Sequence, residues 1–204
     1  MNKNIEVEVR AEISLSQFDD LLLKLKERHK EKSHVKRLTV MFFGEINQVE
    51  FDIRVRVTDK GDAEVVVKKG DYHSHNRSEA SQRIEKDQFL GMVHFFSIFG
   101  FGSKVTEREN FNFELEDNME LSLVRAKSIA YVEVEKMSDK ESADRVRGDL
   151  VEVLEEFDLE PINSDGFMDL CSRLGKETDI IFTGSEDDFR ALKERLLFYG
   201  VLSK

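Results

Sequence analysis

Charged and apolar residues alternate without a break over residues 5–12. Ile5, Val7, Val9 and Ala11 hold one parity, and Glu6, Glu8, Arg10 and Glu12 the other. A strand turns successive side chains to opposite faces, so this stretch predicts a strand with one apolar and one charged face. Next neighbours on a face stand roughly 6.5–7 Å apart. Two carboxylates and a cation therefore fall within reach of a single polyanion and its metal ions. The plainer alternative is an amphipathic strand whose charged face is solvated.

The same alternation recurs downstream. Residues 49–58 set Val49, Phe51, Ile53, Val55 and Val57 against Asp52, Arg54, Arg56 and Thr58. The Asp59-Lys60-Gly61-Asp62 cluster is a turn, and residues 63–69 return as the second arm of a hairpin that closes on Lys68 and Lys69. A further strand is expected over 35–43, ending at Gly44, and another over 78–86 with Arg83 and Glu85. Residues 103–116 set Phe111, Phe113 and Leu115 against Lys104, Thr106, Arg108, Asn110, Asn112 and Glu114; after an Asp117-Asn118 turn, strands follow over 119–124 and 129–137, the last with Glu133 and Glu135 on one face.

Helical spacing appears between these strands. Phe18, Leu21, Leu22 and Leu25 predict an amphipathic helix over 17–30, with Ser14 and Ser16 offering N-cap hydroxyls. The apolar run over 88–100 predicts a buried helix with His94 in the core or at its boundary. Ser138-Asp139-Lys140-Glu141 has the form of a capping box opening a helix to about residue 157. Beyond Pro161 a short helix is expected near Ser164, then a strand over 179–183 and a helix over 185–199. The polar stretch 71–78 reads as a solvated loop, and its His73 and His75 lack further ligands at a metal-site spacing.

Many hairpin-linked strands, each with one charged face, with a few helices inserted, predict an α+β chain built on an antiparallel barrel. The charged faces would line a polar interior of both signs. Buried charges of both signs are costly without a ligand, so such a lining suits a highly charged ligand and a divalent cation. The 204 residues, 40% of them apolar and 16 of them Phe, support one domain, read as 1–174 with a C-terminal appendage over 175–204. A net charge of −11 argues against nucleic-acid or anionic-membrane binding. The lone Cys171, the absence of a signal-like apolar run after Met1 and the lack of a membrane-length apolar stretch point to a cytoplasmic protein. A monomer or a homodimer is expected, the acidic surface disfavouring but not forbidding the dimer.

Glu6-Val7-Glu8-Val9-Arg10 resembles the Glu-x-Glu-x-Lys signature of the CYTH superfamily, the triphosphate tunnel metalloenzymes. Further matches follow in order: Arg54-Val55-Arg56, Lys68 or Lys69 before Gly70, Arg83-Ile84-Glu85, Lys104 with Arg108, Glu133-Val134-Glu135, and Ser164 to Leu170 for a Ser-Tyr-x-x-Leu helix. The resemblance implies a closed eight-stranded antiparallel barrel with flanking helices. It implies that Arg10, Arg54, Arg56, Lys68, Arg83, Lys104 and Arg108 contact a triphosphate-containing small molecule. Glu6, Glu8, Glu85, Glu133 and Glu135 would hold Mg²⁺ or Mn²⁺, and Arg10 and Glu8 would act in catalysis.

The activity implied is metal-dependent hydrolysis of tripolyphosphate or of an organic triphosphate such as thiamine triphosphate. The alternatives are adenylate cyclase chemistry on the same tunnel and a non-catalytic triphosphate or nucleotide binder. The last is motivated by departures from the family pattern. Arg10 replaces the signature Lys, and Glu120, Ser122 and Leu123 stand where an Asp is usual. Residues 124–130 lack the usual Gly, and Phe167 replaces a Tyr.

Overall fold

A computed structural model of the chain describes residues 5–71 and 76–201. The expected His73/His75 loop lies largely outside the described residues, so that expectation stays open. The strands are β1 (Ile5–Ile13), β2 (Lys30–Ile46), β3 (Val49–Thr58), β4 (Ala63–Lys69), β5 (Asn76–Ile84), β6 (Gly102–Glu114), β7 (Glu120–Ala126), β8 (Ile129–Ser138) and the two-residue β9 (Ile180–Ile181). The helices are α1 (Leu15–Arg28), α2 (Phe89–Ser97), α3 (Ala143–Glu156), α4 (Ser164–Glu177) and α5 (Glu186–Phe198).

The strands run in the order β2-β3-β4-β5-β1-β8-β7-β6, and a β2–β6 pairing closes them into an eight-stranded antiparallel barrel with β9 added beside β6. The fold is therefore the α+β barrel that the alternation predicts. Among the described residues no helix is long and apolar enough to cross a membrane.

Two units divide the chain, and β2, β5 and β6 run from one into the other. In the first, residues 5–34, 76–78 and 108–178, the apolar parity of β1 packs Val7, Val9, Ala11 and Ile13 against Phe18, Leu21 and Leu25 of α1 and Val146, Leu150 and Leu154 of α3. Each Val, Leu, Ile or Phe side chain among these contributes about 1.5–3 kcal/mol when fully buried. A capping box between Ser14 and Gln17 starts α1. The opposite parity of β7 and β8 supplies Val124, Ala126 and Tyr131 to a smaller cluster with Leu170 and Leu174 of α4, so α4 packs on the face that carries the charges. Asn163 caps α4 by accepting a hydrogen bond from the Gly166 N–H at 2.9 Å.

The second unit, residues 35–71, 79–107 and 179–201, packs Leu38, Val40 and Phe42 of β2 and Ile53, Val55 and Val57 of β3 against Phe89 and Val93 of α2 and Leu192 and Leu196 of α5. The expected stop at Gly44 does not occur: β2 runs through it to Ile46. A Cβ there would come within 2.1 Å of the Phe101 ring, so the glycine serves close packing within the strand. The strand ends instead at a two-residue turn in which Asn47 (φ 51°) and Gln48 (φ 61°) are left-handed, as a tight hairpin requires.

Three further expectations shift. The segment 139–142 is a turn, in which Asp139 Oδ1 accepts from the N–H groups of Glu141 and Ser142, and α3 begins only at Ala143. The helix near Ser164 is not short but spans 14 residues. The apolar run over 88–100 is only half buried: Phe89 and Val93 are covered, whereas His94, Phe95, Ile98 and Phe99 are exposed. The missing glycine between β7 and β8 has a substitute, because Lys127 adopts a left-handed φ of 54° between the paired residues Ala126 and Ile129.

Candidate metal and anion site

Strand register gathers acids that lie far apart in sequence. In the first unit Glu8 of β1 stands opposite Glu135 of β8, Glu135 opposite Glu120 of β7, and Glu120 opposite Glu114 of β6. Directly opposed side chains on neighbouring strands have Cβ atoms about 4.5–5.5 Å apart, and like charges there repel. Four carboxylates in one row thus need cations. Lys30 and Lys32, at the start of β2, pair with Glu114 and Glu120. The Glu120 hydrogen bond raises the Lys32 ammonium above its usual pKa.

The other end of the row is buried. Glu6 and Glu8 are both nearly inaccessible, and with Glu135 they bring one oxygen each to within 4.8 Å of one another. Three hard oxygen donors at that spacing suit Mg²⁺ or Mn²⁺, which take carboxylates and complete their shell with water and phosphate. Among the described residues this is the only group of three acids or more with such a spacing.

Arg10 forms the next row, directly opposite Glu133. Its Nε donates to Glu133 Oε1 at 2.7 Å, and its Nη2 lies 2.7 Å from Glu8 Oε2. Burial opposes the charge, but Glu8 and Glu133 outweigh that and hold the guanidinium pKa well above its ordinary value. The row continues through Ser122 and Asn112: the Ser122 hydroxyl donates to Asn112 Oδ1 at 2.9 Å, and Asn112 Nδ2 donates to Ser33 at 2.8 Å. Arg77 of β5 is opposite Glu6 and reaches Glu8 Oε1 at 3.6 Å. Arg108 of β6 is also buried in this unit.

The second unit holds its own basic set. Arg54 donates from Nε and Nη2 to both oxygens of buried Asp52, at 3.0 and 2.5 Å. Arg56 Nη1 donates to Glu64 at 3.2 Å, while its Nε is buried without a hydrogen-bond partner, an arrangement that a ligand oxygen would satisfy. Lys68 stands opposite Asp52, is 3% exposed and pairs with Glu79 at 3.1 Å, whereas Lys69 is exposed. The strand register thereby chooses Lys68 for the face of Arg54 and Arg56. Lys104 pairs with Asp179 at 2.8 Å and lies over the Phe43 ring.

Arg83 and Glu85 are exposed, at and just beyond the end of β5, and belong to neither set. The buried arginine of β5 is Arg77, in an Arg77-Ser78-Glu79 pattern with the same spacing six residues earlier. That repeat of the spacing was the available signal. Glu120 sits at an acidic position of the strand before Glu133 and Glu135, facing Glu135 where the resemblance expects an Asp. Lys30 and Lys32 carried no signal, because residues 30–34 contain no apolar residue to mark a strand.

No protein-family model and no curated protein matches the sequence. Solved structures do. A Vibrio parahaemolyticus protein described as a candidate adenylate cyclase aligns with a TM-score of 0.63 at 13% identity, over 82% of this chain and 98% of its own. A Hippeastrum protein described as a candidate adenylyl cyclase with a dominant triphosphatase activity aligns with a TM-score of 0.52 at 17% identity, covering 83% of this chain and 95% of its own. The triphosphatase of the mimivirus capping enzyme aligns with a TM-score of 0.51 at 11% identity, covering 77% and 90%. Identities this low speak to fold alone. The closed eight-stranded barrel is the fold that this chain shares with these proteins.

Proposed function

We propose that this protein binds the triphosphate group of a small molecule together with Mg²⁺ or Mn²⁺ and hydrolyses it. The observation that carries this reading is the meeting of buried Glu6 and Glu8 with half-buried Glu135 beside Arg10 and Arg77. Carboxylates alone would repel a polyanion and guanidinium groups alone would not hold a cation. Together they suit a phosphate chain carrying a divalent ion.

Glu6, Glu8 and Glu135 would hold the cation. When bound, a divalent ion supplies charge neutralisation at the phosphate oxygens and orients an attacking water. Arg77 and Arg108 would face phosphate oxygens as planar donors. Arg54, Arg56, Lys68 and Lys104 are proposed for the same task on the strength of the family resemblance and of the orphaned Arg56 Nε. Arg10 stays protonated and accepts no proton from water. In hydrolysis a water oxygen bonds to the terminal phosphorus as the bridging P–O bond breaks. The water proton must then pass to a carboxylate or a phosphate oxygen, and Glu8 is the proposed carboxylate.

A second reading is favoured by the ion pairs of Arg10. A guanidinium already shared between Glu8 and Glu133 suits a tunnel that binds a triphosphate without turning it over. Release of phosphate and pyrophosphate from tripolyphosphate, thiamine triphosphate and ATP, each with Mg²⁺, Mn²⁺ or chelator, separates the readings. Metal-dependent phosphate release supports hydrolysis, and pyrophosphate with cyclic AMP supports a cyclase. No turnover, with tripolyphosphate still raising the melting temperature, supports the binder. Neither turnover nor stabilisation overturns the proposal.

A further inference from the structure

We infer that the outward face of α2, with the residues just after it, is a self-association surface that docks a second copy of this chain. The inference is independent of the cation-site reading above. In the second unit Phe95 and Phe99 are 53% and 51% exposed, and Ile98 is 74% exposed. They stand at i, i+3 and i+4, so they share one helical face. A phenylalanine side chain carries about 150–250 Å², so the three together leave on the order of 300 Å² of apolar surface in water. Single exposed apolar residues need no explanation, but a contiguous patch of this size marks an interaction site.

The exposed rings are held in place. Phe96 stands 6.0 Å from the core ring of Phe42, and Phe95 packs edge-on to Phe96 at 5.3 Å. Phe99 lies 6.2 Å from Phe95 and 5.6 Å from Phe101, whose own ring packs over Gly44. Rigid aromatic anchors lose little conformational freedom on docking. Gly91 lies one turn before Phe95 on the same face. A Cβ there would meet nothing within 4 Å among the described residues, so no contact within the chain calls for a glycine. Glycine inside a helix weakens it relative to alanine. A bare turn beside two fixed rings suits the close approach of a second helix.

Charge selects the occupant. The chain is 36% charged with a net charge of −11, yet residues 88–103 contain no Asp, Glu, Lys or Arg, the longest such stretch in the sequence. Excess negative charge repels a second copy, and a face without charged residues is where that repulsion is least. An apolar face is also its own complement, so a two-fold axis buries it against itself with one set of residues. A standard interface covers about 800 Å² on each partner around an apolar, aromatic-rich centre, and this patch is the size of such a centre. A lipid surface fits less well, because helices that lie on membranes flank their apolar face with Lys and Arg.

The test is sedimentation equilibrium of the full chain across a range of concentrations. The parent is expected to approach twice the 23.7 kDa of one chain. Ile98→Glu and Phe95→Ser are each expected to raise the dissociation constant about thirtyfold or more, as the loss of a central anchor does. Gly91→Gln should weaken association too, while leaving the melting of the separated chain unchanged or higher. Leu23→Ser, at an exposed site on α1, is the control and should keep the dimer. Added salt should tighten association, because it screens the repulsion between two acidic chains and breaks no ion pair. A monomeric parent would overturn the inference, and one that floats with phosphatidylcholine vesicles would give the face to lipid instead. A dimer untouched by Ile98→Glu, an equal loss in Leu23→Ser, or association that weakens with salt would also overturn it.

Discussion

The Arg10 guanidinium carbon lies 4.6 Å from the centre of the Phe167 ring, so α4 lays an aromatic face on the only cation of β1. Cation–π contacts of this kind contribute about 0.5–2 kcal/mol, more when water is excluded. The ring and the two carboxylates therefore act on the same side chain. A double-mutant cycle of Phe167→Ala with Arg10→Lys, followed by urea unfolding, is expected to show a coupling of about 0.5–2 kcal/mol. Phe167→Tyr is expected to be close to neutral. Strict additivity in the cycle would show that the ring does not hold Arg10.

Lys68 and Lys69 are adjacent in sequence and opposite in consequence. Lys68 is buried against Glu79, and Lys69 is in solvent. Lys68→Met is expected to cost about 3 kcal/mol, because it strands a carboxylate. Lys69→Met should stay within about 0.5 kcal/mol of the parent. Chemical denaturation of both variants measures the difference, and equal losses would contradict the register of β3 with β4.

Tripolyphosphate should raise the melting temperature of the parent by mass action. Losing a charge-assisted hydrogen bond costs about 1.5–3 kcal/mol, so Arg56→Ala and Arg54→Ala are each expected to lower tripolyphosphate affinity about tenfold or more. Arg83→Ala, at an exposed position, is the control and should bind as the parent does. A deficit in Arg83→Ala equal to that of the other two would remove Arg54 and Arg56 from the binding surface.

Glu109 offers a pH test away from the metal cluster. Burial alone would raise its carboxyl, but the hydrogen bonds from His34 and Arg125 outweigh burial and hold its pKa below the usual carboxylate value. A depressed carboxylate stabilises the fold above its unfolded pKa, near 4.3, and that contribution disappears as pH falls through the folded value. Glu109→Gln is thus expected to lose about 0.5–1 kcal/mol at pH 7, with the gap to the parent closing in acid. A gap that is the same at pH 3 and pH 7 would show that the ionised carboxylate is not the source of the effect.

Alternation along the chain was enough to place β1, β3 and β4, to separate their charged faces from their apolar ones, and to single out Glu6, Glu8, Arg10, Arg54 and Arg56. That is a local property: side chains two residues apart share a face whatever the strand pairs with. Which acids meet was not local. The line from Glu8 through Glu135 and Glu120 to Glu114 exists only because four strands adopt one register. The same pairing chose Lys68 over Lys69 and left Arg83 in solvent while Arg77 was buried opposite Glu6. The start of β2 among Lys30, Lys32 and His34 was equally illegible, since a stretch with no apolar residue takes its conformation from its neighbours. Sequence by itself determined the faces of this barrel, and hydrogen-bonded pairing between distant strands decided which charges on those faces stand together.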